Sequence, residues 1–204
     1  MISVFVERPH VMQTRTVFTT PLVSCFFRVI FVVLTRLIGW RVVGEKPSDK
    51  KYVLIAAPHT SNWDFPTMMI AAFVLGLDPH WVGKHTLFPK GILGALMRWL
   101  GGIGIDRRKA HNTVDQMIAQ YAAREELMVL IAPEGTRSKV DHWKAGFYHI
   151  AVDAGVPIYL GFLDTKTRTT GIGEAFYPTG DYEKDIVAIK AFYKDKVGFN
   201  PEFV

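Results

Sequence analysis

The chain of 204 residues contains a single cysteine, Cys25, which excludes a disulfide framework and any zinc site built from several thiolates. So few thiols point to a reducing compartment. Cys25 stands within the most apolar stretch, where it reads as packing rather than as a nucleophile. The patterns G-x-x-x-x-G-K-[ST], G-x-S-x-G and H-E-x-x-H are also missing, which removes the P-loop, nucleophile-elbow and zincin readings. Among seven histidines, His80 and His85 stand five apart, a poor spacing for shared ligation, and no metal is expected. There is no internal repeat or low-complexity tract. No basic stripe interleaved with stacking aromatics marks a nucleic-acid surface, so nucleic acid is not an expected partner.

A long unbroken apolar run is absent too. Thr19 to Gly39 comes nearest, but Pro21 opens it and Arg28 interrupts it, leaving fewer consecutive apolar residues than the ~20 a membrane span needs. No basic leader followed by a small-residue cleavage site is evident. On a helical wheel Pro21, Ser24, Arg28 and Thr35 share one narrow stripe, with Val23, Phe26, Phe27, Ile30, Phe31, Val33, Leu34 and Leu37 around the rest. Two readings follow. The helix lies in a membrane interface, with Arg15, Arg28, Arg36 and Arg41 meeting anionic headgroups, or it is buried against the domain.

Hydrophobic residues make up 49% and the mean hydropathy is +0.15, high for a freely soluble protein of this length and in favour of an enzyme at a membrane surface. The net charge of +5 and pI near 9.3 attract anionic lipid and phosphate but do not choose between them. The length suits one domain with a sizeable core. After a polar turn cluster at Gly44 to Lys51, the body opens with the strand Tyr52 to Ile55. Pro66 to Leu75 reads as a buried helix, Trp81 to Lys84 as a short strand, Ile92 to Leu100 as a helix closed by Gly101 and Gly102, and Ile103 to Ile105 as a lead into Asp106. Asn112 to Glu126 is the clearest amphipathic helix, with Val114, Met117, Ile118, Tyr121 and Ala122 on one face and Asn112 as N-cap. Met128 to Ala132 is a strand, Lys144 to Ala154 a helix ended by Gly155, and Val156 to Leu163 a strand. A polar tail from Thr165 precedes a last helix at Glu183 to Lys196. Strands alternating with helices predict an α/β fold, a central, largely parallel or mixed sheet flanked by helices, with the apolar helix at its N-terminus.

Two stretches carry chemistry. In Ala56-Ala57-Pro58-His59-Thr60-Ser61-Asn62-Trp63-Asp64-Phe65 a strand hands over to a turn and a helix start. Positions five apart on one helix diverge by about 140°, so His59 and Asp64 meet only if the chain turns between them; such a carboxylate would fix the imidazole tautomer and raise its basicity. The second stretch, Pro133-Glu134-Gly135-Thr136-Arg137-Ser138, follows another strand. There Gly135 lets backbone approach a ligand and Arg137 offers a planar donor fork for phosphate.

With Gly104-Ile105-Asp106-Arg107 between them and Val156-Pro157-Ile158 after them, these stretches resemble, in order, the four blocks of the glycerolipid acyltransferase family, of the 1-acylglycerol-3-phosphate (lysophosphatidic acid) acyltransferase type. The resemblance covers roughly Val53 to Leu163. It implies transfer of an acyl group from acyl-CoA or acyl carrier protein, as co-substrate, to a lysophospholipid hydroxyl. His59 would be the base and Asp64 its orienting partner. Arg107, Glu134, Gly135, Thr136, Arg137 and Ser138 would bind the phosphate-bearing acceptor, with Lys144 beside them. Residues 1–44 would form a membrane-associating segment and 45–204 the catalytic domain, placed peripherally or monotopically on the cytoplasmic face of a membrane. Pro58 stands where the family often has Asn, and Ala132 where it often has Phe, so acyl and acceptor pockets that differ from the common pattern are an expectation here. Another lysolipid acceptor, or a lipid ester hydrolase using the same His-Asp pair, remains open.

Overall fold

The computed structural model describes residues 15–106 and 112–203. Arg107, and with it the expected second phosphate ligand, lies outside the described residues, as do residues 1–14. The sheet is built from strands β1 (Arg41–Val43), β2 (Lys51–Ala57), β3 (Pro79–Lys84), β4 (Gly102–Ile105), β5 (Leu127–Ile131), β6 (Ile158–Asp164) and β7 (Thr169–Phe176). Their order is β1-β7-β6-β2-β5-β3-β4. Strands β2 to β6 run parallel to one another, whereas β7 is antiparallel to β6 and pairs parallel with β1. The helices are α1 (Pro21–Leu37), α2 (Asp64–Leu75), α3 (Ile92–Trp99), α4 (Asn112–Ala123), α5 (Gly146–Ala154) and α6 (Tyr182–Tyr193). The fold is the α/β sheet read from the sequence, mixed through β7.

Alternation along the strands sorts side chains into two layers. From β2, Val53, Ile55 and Ala57 enter one core with Val129, Ile158, Leu160 and the inward faces of α4, α5 and α6, while Tyr52 and Leu54 enter the other with Met128 and the α2 residues Ala72 and Phe73. Because β2 lies between β5 and β6 and is covered on both faces, it carries an apolar run rather than an alternating one. Each of its fully buried aliphatic side chains contributes roughly 1.5–3 kcal/mol relative to exposure.

Helix α1 is buried against the domain along one face only. Phe27 and Phe31 pack on Phe73 at centroid distances of 5.2 and 5.5 Å, and Thr35 is buried with its hydroxyl donating to the Phe31 carbonyl at 2.8 Å. The opposite face leaves Leu22, Phe26, Val29, Val33 and Leu37 exposed, Leu22 at 87% and Leu37 at 79%. The polar stripe is therefore not the outward one: Thr35 faces the body, and Ser24 and Arg28 line a hollow beside Phe18 and Phe73. Among the described residues no helix is long and apolar enough to cross a membrane.

Several boundaries depart from the sequence reading by two or three residues: α4 ends at Ala123 rather than Glu126, α5 begins at Gly146 rather than Lys144, and α6 ends at Tyr193 rather than Lys196. Gly102 opens β4 instead of closing α3, and the polar stretch after Thr165 contains β7. Strand β1 was also not expected. Neither β1 nor β7 shows a pure apolar signal, because β1 is a three-residue edge and β7 opens with Thr169-Thr170-Gly171 and has a second glycine, Gly173, after Ile172.

Candidate active site

Parallel strands bring their carboxyl ends to one edge, and β2 and β5 are hydrogen-bonded neighbours there. The loops that follow them carry His59 and Glu134 respectively. Trp63 in helical conformation precedes α2, so Asp64 is its first residue and points its carboxylate back over the turn. Asp64 Oδ2 accepts from the Thr60 N–H at 2.7 Å, the Ser61 N–H at 2.7 Å and His59 Nδ1–H at 3.0 Å. The Asp64 side chain is 3% exposed and that of His59 29%. With Nδ1 committed as donor, the imidazole presents Nε2, which makes no hydrogen bond among the described residues, as a proton acceptor at an accessible edge. This is the turn that the five-residue spacing demanded; the N-cap position falls on Trp63, whose side chain caps nothing, and the Asp64 carboxylate binds the turn amides.

Glu134 is buried, and its Oε1 accepts the backbone N–H of His59 at 3.1 Å. Burial pushes its carboxyl above the ordinary glutamate value; hydrogen bonds from its own and the His59 backbone, with the nearby imidazole, pull back without cancelling the rise. The carboxylate thus ties the β5 loop to the β2 loop. Gly135 has φ +66°, and a Cβ there would lie 2.7 Å from Lys144 Nζ, so Lys144 lies across the bare glycine. The Lys144 N–H donates to the Pro133 carbonyl at 2.8 Å. Arg137 is exposed and its Nη1 donates to Asn62 Oδ1 on the His59 turn. Thr136 and Ser138 are exposed, linked by a Ser138 N–H to Thr136 Oγ1 contact of 3.4 Å. His59, Asp64, Glu134 and Arg137 are therefore joined through hydrogen bonds across the two loops, Gly135 and Lys144 lie alongside, and Thr136 and Ser138 contribute no link between the loops.

Two residues that the sequence reading did not single out belong to this constellation. Asn62 orients Arg137, and its place inside the His59 stretch was the available signal. Thr60 is 2% exposed and is bonded by Asn200 from the far end of the chain; no local pattern marks a contact over 140 positions. Beneath α2, between its Met68, Met69 and Ala72 and the sheet residues Leu54, Met128 and Gly161, runs a narrow apolar crevice of about 30 Å³. Met68 lies one helical turn beyond Asp64.

A family model described as Acyltransferase matches residues 39–159, more than half of the chain. A 1-acyl-sn-glycerol-3-phosphate acyltransferase from Salmonella typhimurium is 33% identical over 138 residues, covering 63% of this chain and 55% of that protein. The human 1-acyl-sn-glycerol-3-phosphate acyltransferase alpha is 34% identical over 118 residues, covering 55% of this chain and 40% of that one. This chain thus spans about half the length of the curated relatives it matches. The crystal structure of a 1-acyl-sn-glycerophosphate (LPA) acyltransferase from Thermotoga maritima superposes with a TM-score of 0.56 at 20% identity, over 85% of this chain and 78% of that one, a likeness of fold. The family match, and the His59 and Glu134 loops that fall inside it, establish that this chain belongs to the acyltransferase family.

Proposed function

We propose that the protein transfers a fatty acyl group from a thioester donor, acyl-CoA or acyl carrier protein, to the free hydroxyl of a lysophospholipid, 1-acylglycerol-3-phosphate first among them. The observation that carries this reading is the His59–Asp64 pair, an imidazole held through Nδ1 by a buried carboxylate with Nε2 left accessible. In the proposed reaction Nε2 removes the acceptor's hydroxyl proton as the oxygen attacks the thioester carbonyl. The tetrahedral intermediate collapses, the C–S bond breaks, and the imidazolium returns the proton to the departing thiolate. Asp64 remains a carboxylate throughout and stabilises the imidazolium, so the acceptor hydroxyl occupies the part a serine plays in a Ser-His-Asp triad. Arg137 gives a charge-assisted donor for the acceptor's phosphate. The crevice under α2 has the apolar lining an acyl chain needs, almost wholly aliphatic and methionine side chains, and must widen by movement of those flexible methionines to admit one.

The exposed outer face of α1, together with Trp63 at 68% and Phe65 at 52% exposure on either side of Asp64, supports association with a membrane surface as a peripheral or monotopic enzyme. The cytoplasmic face is the expected side. The test is incubation of purified protein with mixed lysolipids and acyl donors, read by product mass. Appearance of a doubly acylated, phosphate-bearing lipid supports the reading; release of free fatty acid at a rate independent of any lysolipid overturns it in favour of hydrolysis.

A further inference from the structure

The last residues of the chain return to the turn that holds the imidazole. The Asn200 side-chain Nδ2 donates to the Thr60 carbonyl at 2.7 Å, and the Asn200 backbone N–H donates to Thr60 Oγ1 at 3.1 Å. The Thr60 carbonyl belongs to the same peptide unit as the Ser61 N–H, and that N–H donates to Asp64 Oδ2 at 2.7 Å. One chain of polar groups therefore runs from the Asn200 amide through a single peptide plane to the carboxylate and on to His59 Nδ1. A donor on the carbonyl of a peptide fixes its plane and polarises its N–H, strengthening the bond at the other end.

The tail that presents Asn200 is itself secured. The Thr165 hydroxyl donates to the Gly198 carbonyl at 2.9 Å, the Thr165 N–H to the Val197 carbonyl at 2.8 Å, and Phe199 stacks on Trp40 at 6.0 Å. A Cβ on Gly198 would lie 2.4 Å from Thr60 Oγ1, so the two segments are in direct contact. All of this lies beyond the span 39–159 that the family model matches, apart from Trp40 and Thr60.

We propose that Asn200 is a positioning residue that aims and strengthens the Ser61 N–H donor to Asp64, and through it sets the orientation and basicity of His59. The proposal rests on the acyl-transfer reading for its kinetic consequence, while its structural consequence can be read without turnover. Asn200→Ala removes the side-chain donor, and Asn200→Asp keeps the shape but turns an acceptor toward the Thr60 carbonyl. Both should lower kcat about tenfold, as a small misplacement of a reacting group does, with acceptor and donor KM within about twofold of the wild-type values. A carboxylate with a weaker amide donor leaves more negative charge facing the ring, so the acid limb of kcat/KM should move to higher pH.

The reference variant is Tyr193→Phe, which removes a buried hydrogen bond to the Gly161 carbonyl and touches neither Thr60 nor Asn200. It should lower Tm without moving the pH profile. The second measurement is the downfield proton resonance of the His59 Nδ1–H in the substrate-free protein, identified by its loss in His59→Ala. It should shift or broaden in both Asn200 variants and stay in place in Tyr193→Phe. Asn200→Asp with wild-type kcat, pH profile and resonance overturns the proposal, as do Asn200 variants that match Tyr193→Phe in every respect. Should the wild-type protein transfer no acyl group, the acyl-transfer reading fails, and the resonance alone decides the tether.

Discussion

Replacing Asp64 by Asn is the sharpest probe of the site, because the structure states what is lost and what is kept. The substituted amide still fits the space, and its oxygen can receive the Thr60 and Ser61 N–H groups that now reach Oδ2 at 2.7 Å. The negative charge beside Nδ1 is lost, and with it the counterpart of the imidazolium that forms as the hydroxyl proton arrives. An amide that instead presents its NH₂ to the ring enforces the wrong tautomer, with the proton on Nε2. Loss of a triad carboxylate of this kind costs about 10⁴ in kcat in the best-studied case; with an acceptor hydroxyl in place of a tethered nucleophile we expect a fall of roughly 10² to 10⁴, or about 3–5 kcal/mol in the barrier. His59→Ala should fall as far, and the double variant no further, since groups acting as one unit are not additive. The assay is kcat for acyl transfer at saturating lysolipid, with Tm measured alongside. A variant within about threefold of wild type with an unchanged pH profile would refute the pair as the base, and multiplicative losses in the double variant would refute its acting as one unit.

Glu134→Gln should stabilise the protein near neutrality. The folded carboxyl titrates above its unfolded value of 4.5 because burial penalises its charge, so the stability it contributes is whole below that value and is lost as pH rises through the folded one. Melts of wild type and variant should coincide in acid and separate above it, with the variant higher; a constant gap at all pH values would contradict this. Arg137→Ala should raise KM about tenfold for a phosphate-bearing lysolipid and leave a phosphate-free one unchanged, in keeping with loss of one charge-assisted donor; equal losses on both would mean that its bond to Asn62 shapes the loop instead. On α1, Phe26→Asp and Val33→Asp place charge on the outward face and should lower binding to anionic vesicles in sedimentation assays with little change in Tm. Phe31→Asp, facing Phe73, should do the reverse in emphasis by lowering Tm strongly, and identical behaviour of the two classes would remove the distinction between the faces.

The order of elements was readable because each buried segment has a period. The run Val53-Leu54-Ile55 and the stripe Met117, Ile118, Tyr121 declare strand and helix locally, and His59 and Asp64 lie within one turn of chain, so their meeting needed only the turn residues between them. The two-faced character of α1 was not readable, since Phe27 and Phe26 are chemically alike and only the position of Phe73 tells which one is inside. Strand β1 was invisible for a related reason: Arg41–Val43 is held by pairing with Thr169–Gly171, a partner on the far side of the sequence. The tie from Glu134 to the His59 backbone likewise needs the β2–β5 register, which aligns Ile55 with Ile131. Buried polar links between distant segments leave no periodic trace, and they make up the part of the site that sequence reasoning did not supply.

The central place of β2 also bears on how the chain is made. Its hydrogen-bonding neighbours β5 and β6 are encoded far downstream, Tyr52 aligning with Met128 and Val53 with Ile158. At roughly 5–20 residues per second on the ribosome, the apolar β2 segment leaves the tunnel and waits several seconds for its first partner and longer for its second. Pairings so distant fold slowly, because the loop must close before the contacts stabilise it. During that interval an apolar, strand-forming segment of the nascent protein lacks both of its sheet neighbours. Synthesis of this protein should accordingly be sensitive to chaperone supply, and slower growth at low temperature should raise the soluble yield more than any change made at the finished surface.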